Sequence, residues 1–319
     1  MPRGVAMRYT KPFRTIEEQA GILAKRGMEA DHDHLVQCLG NVGYYRLSGY
    51  WHIFKQPDET FQTGTTFEKV WDLYTFDRQF RLIVLDAIER IEVYFRAQLS
   101  HKLAKAAGPF GYANCDNLPR LKPDKYDDLI RRCRDSYQRS RETFVAHFKE
   151  TYGDEHDLPP YWMLVNLMDF GMVFTLYRGA PSSIREEIAD EFSVRAPVMD
   201  SWLQTINTTR NICAHHGRLW NRTLGTKPKI PKEKNDRRWH RPYAVEPDKI
   251  FVVLTILSLM LEKAAPNTEW RTRLFDLLSK RSTEDLSRMG FRDGWETCPI
   301  WSKWNTDLMR NESEGQRER

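Results

Sequence analysis

Hydrophobic positions recur every three to four residues along most of the chain, a spacing that predicts amphipathic helices. Between Thr65 and Ala107 there is neither glycine nor proline. At about 1.5 Å per residue, this stretch predicts about 60 Å of helix, with one interruption near Asp77 as the alternative. No segment alternates apolar and polar residues convincingly, as a half-buried strand does, so the predicted fold class is all-α.

Capping and helix-breaking residues set the boundaries of the other predicted helices. Capping-box patterns begin at Thr15, Thr65 and Ser183. Pro197 is expected in the first turn of a helix that Gly217 ends. Further helices are predicted at about residues 31–39, 125–152, 160–177, 247–263, 269–280 and 284–289.

These helices group into three predicted segments. Residues 1–60 form an N-terminal helical segment with a tyrosine-rich turn, residues 61–265 a helical core, and residues 266–319 short helices followed by a polar tail. The final residues, 311–319, are polar and charged, and we expect them to fray.

Composition excludes several classes of protein. Of the 319 residues, 40% are hydrophobic and 12% aromatic, which excludes a disordered chain. Five scattered cysteines without a C-x-x-C pair exclude a disulfide framework and a zinc ribbon. The net charge of +5 is too small to indicate a nucleic-acid partner by itself.

The apolar runs of the chain bear on its location. The longest one, Phe251–Leu261, is shorter than the roughly 20 residues that a membrane span needs, so we expect no membrane partner. Met1–Gly4 is not followed by an apolar stretch, so we expect no secretory signal and a cytoplasmic location.

The helix predicted from Pro197 separates a core stripe from a polar pair. At about 100° per residue, an arc of about 80° contains Val198, Trp202, Ile206, Thr209 and Cys213. Asn211 and His215 fall on the far side, and Arg210 falls on the border. The core of this helix therefore does not require these three polar residues.

Arg210, Asn211 and His215 are suitable groups for RNA cleavage. A histidine can accept the proton of a 2′-hydroxyl, and an arginine can hold the scissile phosphate and its developing charge. The asparagine would fix the orientation and tautomer of the imidazole. The alternative interpretation is that Arg210 and His215 only cap the helix and balance its dipole.

Two further sets of residues suit RNA binding. The first is the tyrosine-rich turn with Tyr44, Tyr45, Arg46 and Tyr50, whose rings either stack on bases or pack the turn onto the long helix. The second is the loop at residues 227–243, with seven basic and two acidic residues, including Lys234, Arg237 and Arg238. An arginine cluster, either a backbone-binding groove or a solvated face, comprises Arg131, Arg132, Arg134, Arg139 and Arg141.

Glu89, Glu92 and Arg96 share one face of the long predicted helix. With His216 in a secondary role, they are predicted to form a polar cluster that supports the Arg210 site. The alternative is a structural row of salt bridges, with His216 packing or capping. No further ligand joins the two glutamates at a clear spacing, so no metal site is predicted.

An ordered series of short motifs runs from about residue 10 to residue 225 and resembles the Abi-like family of bacterial abortive-infection proteins. Arg210-Asn-Ile-Cys-Ala-His215 is similar to the Arg-x4-6-His signature, with Asn after the Arg, of the HEPN superfamily of helical RNases. The other motifs that carry the resemblance are Lys11-Pro12, Glu18-Gln19, Arg26-Gly27, Asn41, Tyr44–Tyr50, Thr65–Glu68, Phe76–Arg78, Arg81, Ile88–Glu92, Arg96, Pro160–Trp162, Phe170-Gly171, His216 and Leu219–Asn221.

The resemblance implies a HEPN-like helical bundle with additional N-terminal and C-terminal helices. It also implies a cofactor-free, metal-independent endoribonuclease that acts in phage defence or as a toxin. Such a site uses two motifs and this chain has one, so a homodimer is expected. A non-catalytic RNA-binding module, partnered by a regulatory small RNA, is the main alternative. An adaptor that pairs with another protein is a third.

Overall fold

The computed structural model describes residues 10–302, and within them the fold is all helical with no β-strand. The predicted class is therefore confirmed. The helices are α1 (Ile16–Lys25), α2 (His32–Val42), α3 (Tyr44–Trp51), α4 (Phe67–Ala107), α5 (Pro123–Arg139), α6 (Thr143–Tyr152), α7 (Tyr161–Leu164), α8 (Phe170–Gly179), α9 (Ser182–Asp190), α10 (Ala196–Ala214), α11 (Ile250–Ala264), α12 (Trp270–Leu278) and α13 (Thr283–Ser287). The chain divides into two compact units, one ending at Gln79 and the other beginning at Phe80. The tail predicted at 311–319 lies outside the described residues.

In the first unit, the capping box predicted at Thr15 is confirmed. The Thr15 hydroxyl accepts a hydrogen bond from the Glu18 amide at 3.2 Å, and the Glu18 carboxylate accepts one from the Thr15 amide at 2.8 Å. The tyrosine-rich segment is the helix α3, so the prediction of a turn there was wrong. The bend occurs one residue earlier, at Gly43, whose positive φ of 89° separates α2 from α3.

The long helix α4 is continuous, and the alternative with an interruption near Asp77 is not observed. It begins one residue later than the predicted capping box. The Thr66 hydroxyl, and not that of Thr65, accepts a hydrogen bond from the Lys69 amide, at 3.3 Å. The helix ends before Gly108, which has a left-handed φ of 78°.

Two predicted helices are each split in the structure. The one expected at 125–152 becomes α5 and α6, because Ser140 and Glu142 are extended and the Ser140 hydroxyl accepts a hydrogen bond from the Glu142 amide at 3.3 Å. The one expected at 160–177 becomes α7 and α8, because Asp169 caps α8 by accepting a hydrogen bond from the Met172 amide at 2.9 Å.

The capping box predicted at Ser183 was also wrong. The helix α9 begins at Ser182, and no side chain caps it. The Glu186 carboxylate instead accepts a hydrogen bond from the Ala196 amide at 3.1 Å, so it connects α9 to the start of α10.

The core of the second unit surrounds α11, in which eleven of fifteen residues are buried. The segment after residue 265 packs onto the same core. The Trp270 indole donates a hydrogen bond to the Ile83 carbonyl at 2.8 Å, and the Trp301 indole donates one to the Thr255 hydroxyl at 3.0 Å. Among the described residues, no helix combines the length and the apolar character that crossing a membrane requires.

Candidate functional site

The helix α10 is held in the second unit by one apolar face. The predicted stripe is confirmed for Trp202, Ile206, Thr209 and Cys213, which are buried, whereas Val198 is half-buried. The Trp202 indole also donates a hydrogen bond to the Lys229 carbonyl at 2.9 Å. Because the buried face fixes the rotation of α10, it also fixes which side chains the opposite face presents.

The C-terminal end of α10 presents the predicted polar residues at the surface. Asn211 and His215 are exposed, and Arg210 is half-buried, as the angular pattern predicts. His215 is the C-cap residue. Among the described residues, its imidazole makes no hydrogen bond, so both ring nitrogens can meet a ligand.

His216 ends the helix α10 and does not line either groove beside Arg210. It adopts the left-handed conformation, with a φ of 58°, that was expected of Gly217. The Gly217 amide donates to the Ile212 carbonyl at 2.7 Å and the His216 amide donates to the Cys213 carbonyl at 3.0 Å. This hydrogen-bond pair is a Schellman motif, so the backbone of His216 terminates the helix directly after His215.

Arg210 has almost no internal partner. Its guanidinium donates one long hydrogen bond, 3.5 Å, to the Asn211 side-chain oxygen. Within residues 10–302, no carboxylate lies within 4 Å of it. A half-buried guanidinium without a carboxylate is suited to bind an anion such as a phosphate.

Arg210 lies where two surface grooves adjoin. The α4 groove, of about 390 Å³, is lined by Leu85, Ile88, Glu89, Glu92, Val93, Arg96, Asn166 and Arg210. The α8 cleft, of about 310 Å³, is lined by Arg132, Asp169, Phe170, Gly171, Asn207, Arg210 and Asn211. A ligand bound at the Arg210 guanidinium therefore has space on both sides of it.

The three α4 residues of the predicted polar cluster line the same groove as Arg210, but their contacts differ. Arg96 pairs with Glu92 and donates hydrogen bonds to the carbonyls of Val165 and Met168, the latter at 2.6 Å. These contacts connect α4 to the turn between α7 and α8, an arrangement that the salt-bridge alternative expects of Glu92 and Arg96. Glu89 is exposed to the α4 groove and, among the described residues, has no hydrogen bond or ion pair.

The α8 cleft contains groups that the sequence did not connect with Arg210. Arg132 forms an ion pair with Asp169 at 2.7 Å, and Asp169 also caps α8. Asn207, one turn before Asn211, lines the same cleft. The Asp directly before Phe170-Gly171 is an N-cap signal that could have predicted the start of α8. No sequence signal linked Arg132 of α5 to α10, because the two helices are brought to the same cleft only by the tertiary fold.

The tyrosine-rich segment lies in the first unit and offers fewer RNA-binding groups than predicted. Tyr50 is buried and donates a hydrogen bond to Asp77 at 2.6 Å, so its ring packs the core and has no face for stacking on RNA. Tyr44 is half-buried against Trp51, with 4.9 Å between ring centroids. Tyr45, with 92% of its surface exposed, and Arg46 remain accessible.

The basic loop at 227–243 is anchored to the other end of α10. The Lys229 amide donates a hydrogen bond to the Ser201 hydroxyl at 2.9 Å. His215 lies about 20 Å further along the helix, at about 1.5 Å per residue. The loop is therefore not among the residues that line the grooves around Arg210.

The cations of this loop differ in how strongly they are paired. Lys234 and Arg237 are exposed and, in the described part of the chain, have no ion pair. Arg238 makes a bidentate pair with Asp236, and these hydrogen bonds raise the pKa of its guanidinium. Lys234 and Arg237 are thus the freer cations.

No grouping of three or more His, Cys, Asp or Glu side chains that could hold a metal ion occurs in residues 10–302. Within the same residues none of the five cysteines forms a disulfide, and four of them are buried.

The second unit is thus an all-helical body whose helix α10 ends in an Arg-Asn-x3-His sequence, with the Asn and His exposed and the Arg lining two grooves. The model of a family described as Abi-like protein matches residues 37–221, more than half of the chain and including all of α10. The chain therefore belongs to the Abi-like protein family. No curated protein and no solved structure matches it.

Proposed function

We propose that this protein is a metal-independent endoribonuclease of the HEPN type. The observation that carries the proposal is the Arg210 guanidinium, which adjoins two grooves and lacks a carboxylate partner within the described residues. Asn211 and His215 stand exposed at the same helix end. Membership of the Abi-like family is consistent with a role in abortive infection, and a growth-arresting toxin would use the same chemistry.

The proposed reaction is an internal transesterification. One His215 takes the proton of a 2′-hydroxyl, whose oxygen attacks the adjacent phosphorus. The bond from phosphorus to the 5′-oxygen breaks, and a second histidine gives that oxygen a proton. Arg210 balances the charge that develops on the non-bridging oxygens, and Asn211 orients the imidazole. The products carry a 2′,3′-cyclic phosphate and a 5′-hydroxyl.

The need for a second histidine supports a homodimer. The base and the acid act on opposite sides of the phosphate, and one imidazole cannot occupy both positions. A twofold axis near the C-terminal end of α10 would bring two copies of Arg210 and His215 around one phosphate. The exposure of Asn211 and His215 in the single chain leaves this face available for such a contact.

A non-catalytic RNA-binding module is the second candidate. The observation that favours it is the exposure of Lys234 and Arg237, which have no ion pair in the described residues and lie on the loop whose Lys229 is anchored at Ser201 of α10. Such cations hold an RNA backbone without cleaving it. In this case the Arg210 motif binds phosphate, and a small RNA is the regulatory partner.

A cleavage assay in EDTA separates the two candidates. Wild type, His215→Ala, Arg210→Lys and the control His147→Ala are incubated with single-stranded RNA. His147 is an exposed histidine on α6 that is absent from the lining of both grooves. We expect cleavage by wild type and the control only. Binding without cleavage by all four proteins would instead support the non-catalytic module.

A further inference from the structure

The α4 groove continues into a third depression of about 650 Å³, which we name the Trp162 trough. Val93, Arg96 and Asn166 line both, so the surface is continuous from Arg210 to the far end of the trough. His101, Lys105 and Trp162 line that far end. No function is predicted for these three residues from the sequence.

Trp162 is an exposed aromatic ring on a rigid support. The residue retains 54% of its surface, and within residues 10–302 its ring contacts no other ring and its indole N–H has no acceptor. The short helix that carries it is fixed at its end by Arg96, which donates to the Val165 carbonyl, and by the Asn166 side-chain Nδ2, which donates to the Trp162 carbonyl at 2.7 Å. The backbone beneath the indole is therefore pre-organised.

The charge of the trough favours a polyanion. No carboxylate lines it, whereas Lys105 and His101 do. Two acids lie behind its wall: Glu92 pairs with Arg96, and Glu187 accepts a hydrogen bond at 2.7 Å from Lys102, which does not line the trough. The pKa of Glu187 is lowered mainly by the hydrogen bond from Lys102 and to a smaller extent by Lys105 and His101. A stacking ring beside a lysine without an ion pair is a combination that binds single-stranded nucleic acid.

We propose that the Trp162 trough binds the substrate RNA strand beside the scissile phosphate, with one base stacked on the Trp162 indole and the adjacent backbone phosphate near Lys105. Identifying this RNA as the substrate rests on the proposed function. The binding itself does not, because the trough can hold a strand whether or not Arg210 and His215 cleave it.

The experiment measures binding in the absence of cleavage. In a His215→Ala background, the affinity for a single-stranded 12-mer is compared among Trp162, Trp162→Phe, Trp162→Ala and the control Tyr152→Ala. Tyr152, half exposed at 50%, lies on α6 outside the trough. We expect Trp162→Ala to bind roughly 5- to 150-fold more weakly, the range for one stacked base, with Phe recovering most of the affinity and Tyr152→Ala equal to the parent.

Abasic scanning of the oligonucleotide locates the stacked base. One abasic position should weaken binding to the parent but not to Trp162→Ala, since both changes remove the same stacking contact. Lys105→Gln should flatten the slope of log affinity against log salt by roughly 0.7, the value for one contact with single-stranded nucleic acid.

Three outcomes would contradict RNA binding in the Trp162 trough. They are equal affinity of Trp162→Ala and the parent, no binding of RNA by any of the proteins, and dissociation of a homodimer by Trp162→Ala in sedimentation. The last outcome would make the trough a contact between copies. The same measurements separate this proposal from the proposed function. Cleavage that depends on His215 but not on Trp162 contradicts only RNA binding in the Trp162 trough. Binding that depends on Trp162, without cleavage by wild type, contradicts only the ribonuclease activity.

Discussion

Arg96 and Arg210 line the same groove but are used in opposite ways. Arg96 has a side chain that is 13% exposed, and it bonds a carboxylate and two backbone carbonyls. Arg210 has one long hydrogen bond to Asn211. The Arg96 guanidinium is therefore occupied by internal contacts, whereas the Arg210 guanidinium is available to a ligand. The sequence alone does not distinguish the two arginines, because both have acidic or polar neighbours.

This contrast predicts different costs for the same substitution. Arg96→Met should lower the free energy of unfolding by about 2–4 kcal/mol, because two partly buried carbonyls and Glu92 lose their partner. Arg210→Met should change it by less than about 1 kcal/mol. Urea unfolding measures both. Similar losses for the two variants would contradict the division between a structural and a ligand-binding arginine.

Trp202 and His215 form a second matched pair, on one helix. Trp202 is fully buried, so Trp202→Ala should cost about 3–5 kcal/mol through the cavity that it leaves. His215→Ala removes an exposed side chain and should cost less than about 1 kcal/mol. Thermal unfolding followed by circular dichroism measures both changes in stability. If His215→Ala were unfolded, its loss of activity would not show that His215 takes part in catalysis.

Among the elements, α10 shows what the sequence could predict and α5 to α8 show what it could not. The apolar face of α10 repeats at helical spacing, so both its buried side and the exposure of Asn211 and His215 follow from the pattern. The breaks at Ser140–Glu142 and before Asp169 depend on single side-chain to backbone hydrogen bonds. Periodicity carries no information on these bonds, and Ser and Asp also occur within helices.

The Asp169 cap of α8 should contribute measurably to stability. Asp169→Ala should lower stability by about 1 kcal/mol through the lost cap, and more if the Arg132 pair also contributes. Asp169→Asn keeps an oxygen that can cap and removes the charge, so it should retain most of the stability. Chemical denaturation distinguishes them. Equal losses in both variants would mean that the ion pair dominates.

Across the whole molecule, burial separates the cysteines by reactivity. Burial raises the pKa of Cys133 to about 12 and also raises the pKa of Cys38 and Cys298. A raised pKa keeps a thiol protonated at pH 8, and only the thiolate reacts with an alkylating agent. Cys213, between Arg210 and His215 in sequence, is buried in the α10 stripe, whereas Cys115 is exposed.

Iodoacetamide at pH 8 should therefore modify Cys115 first, with the four buried cysteines labelled only after denaturation. Peptide mass spectrometry over a time course measures the order. Because Cys213 points into the core, alkylation of the native protein should leave activity intact. Early labelling of Cys213 would show that the end of α10 opens in solution.

The homodimer is tested by mixing inactive chains. His215→Ala and Arg210→Ala are refolded together, and cleavage is compared with each variant alone. A site that needs both copies of His215 stays inactive in every mixture. Partial recovery would show that one histidine and one arginine from different chains suffice. A monomer that cleaves RNA at its working concentration would exclude a composite site.

The ends of the RNA products test the central proposal most directly, because they report which bond breaks and which atom attacks. Wild type and His215→Ala are incubated with a defined single-stranded RNA in EDTA, and the fragments are analysed by mass spectrometry. We expect 2′,3′-cyclic phosphate and 5′-hydroxyl ends from wild type and intact RNA from His215→Ala. Fragments ending in a 5′-phosphate, or identical cleavage by both proteins, would contradict it.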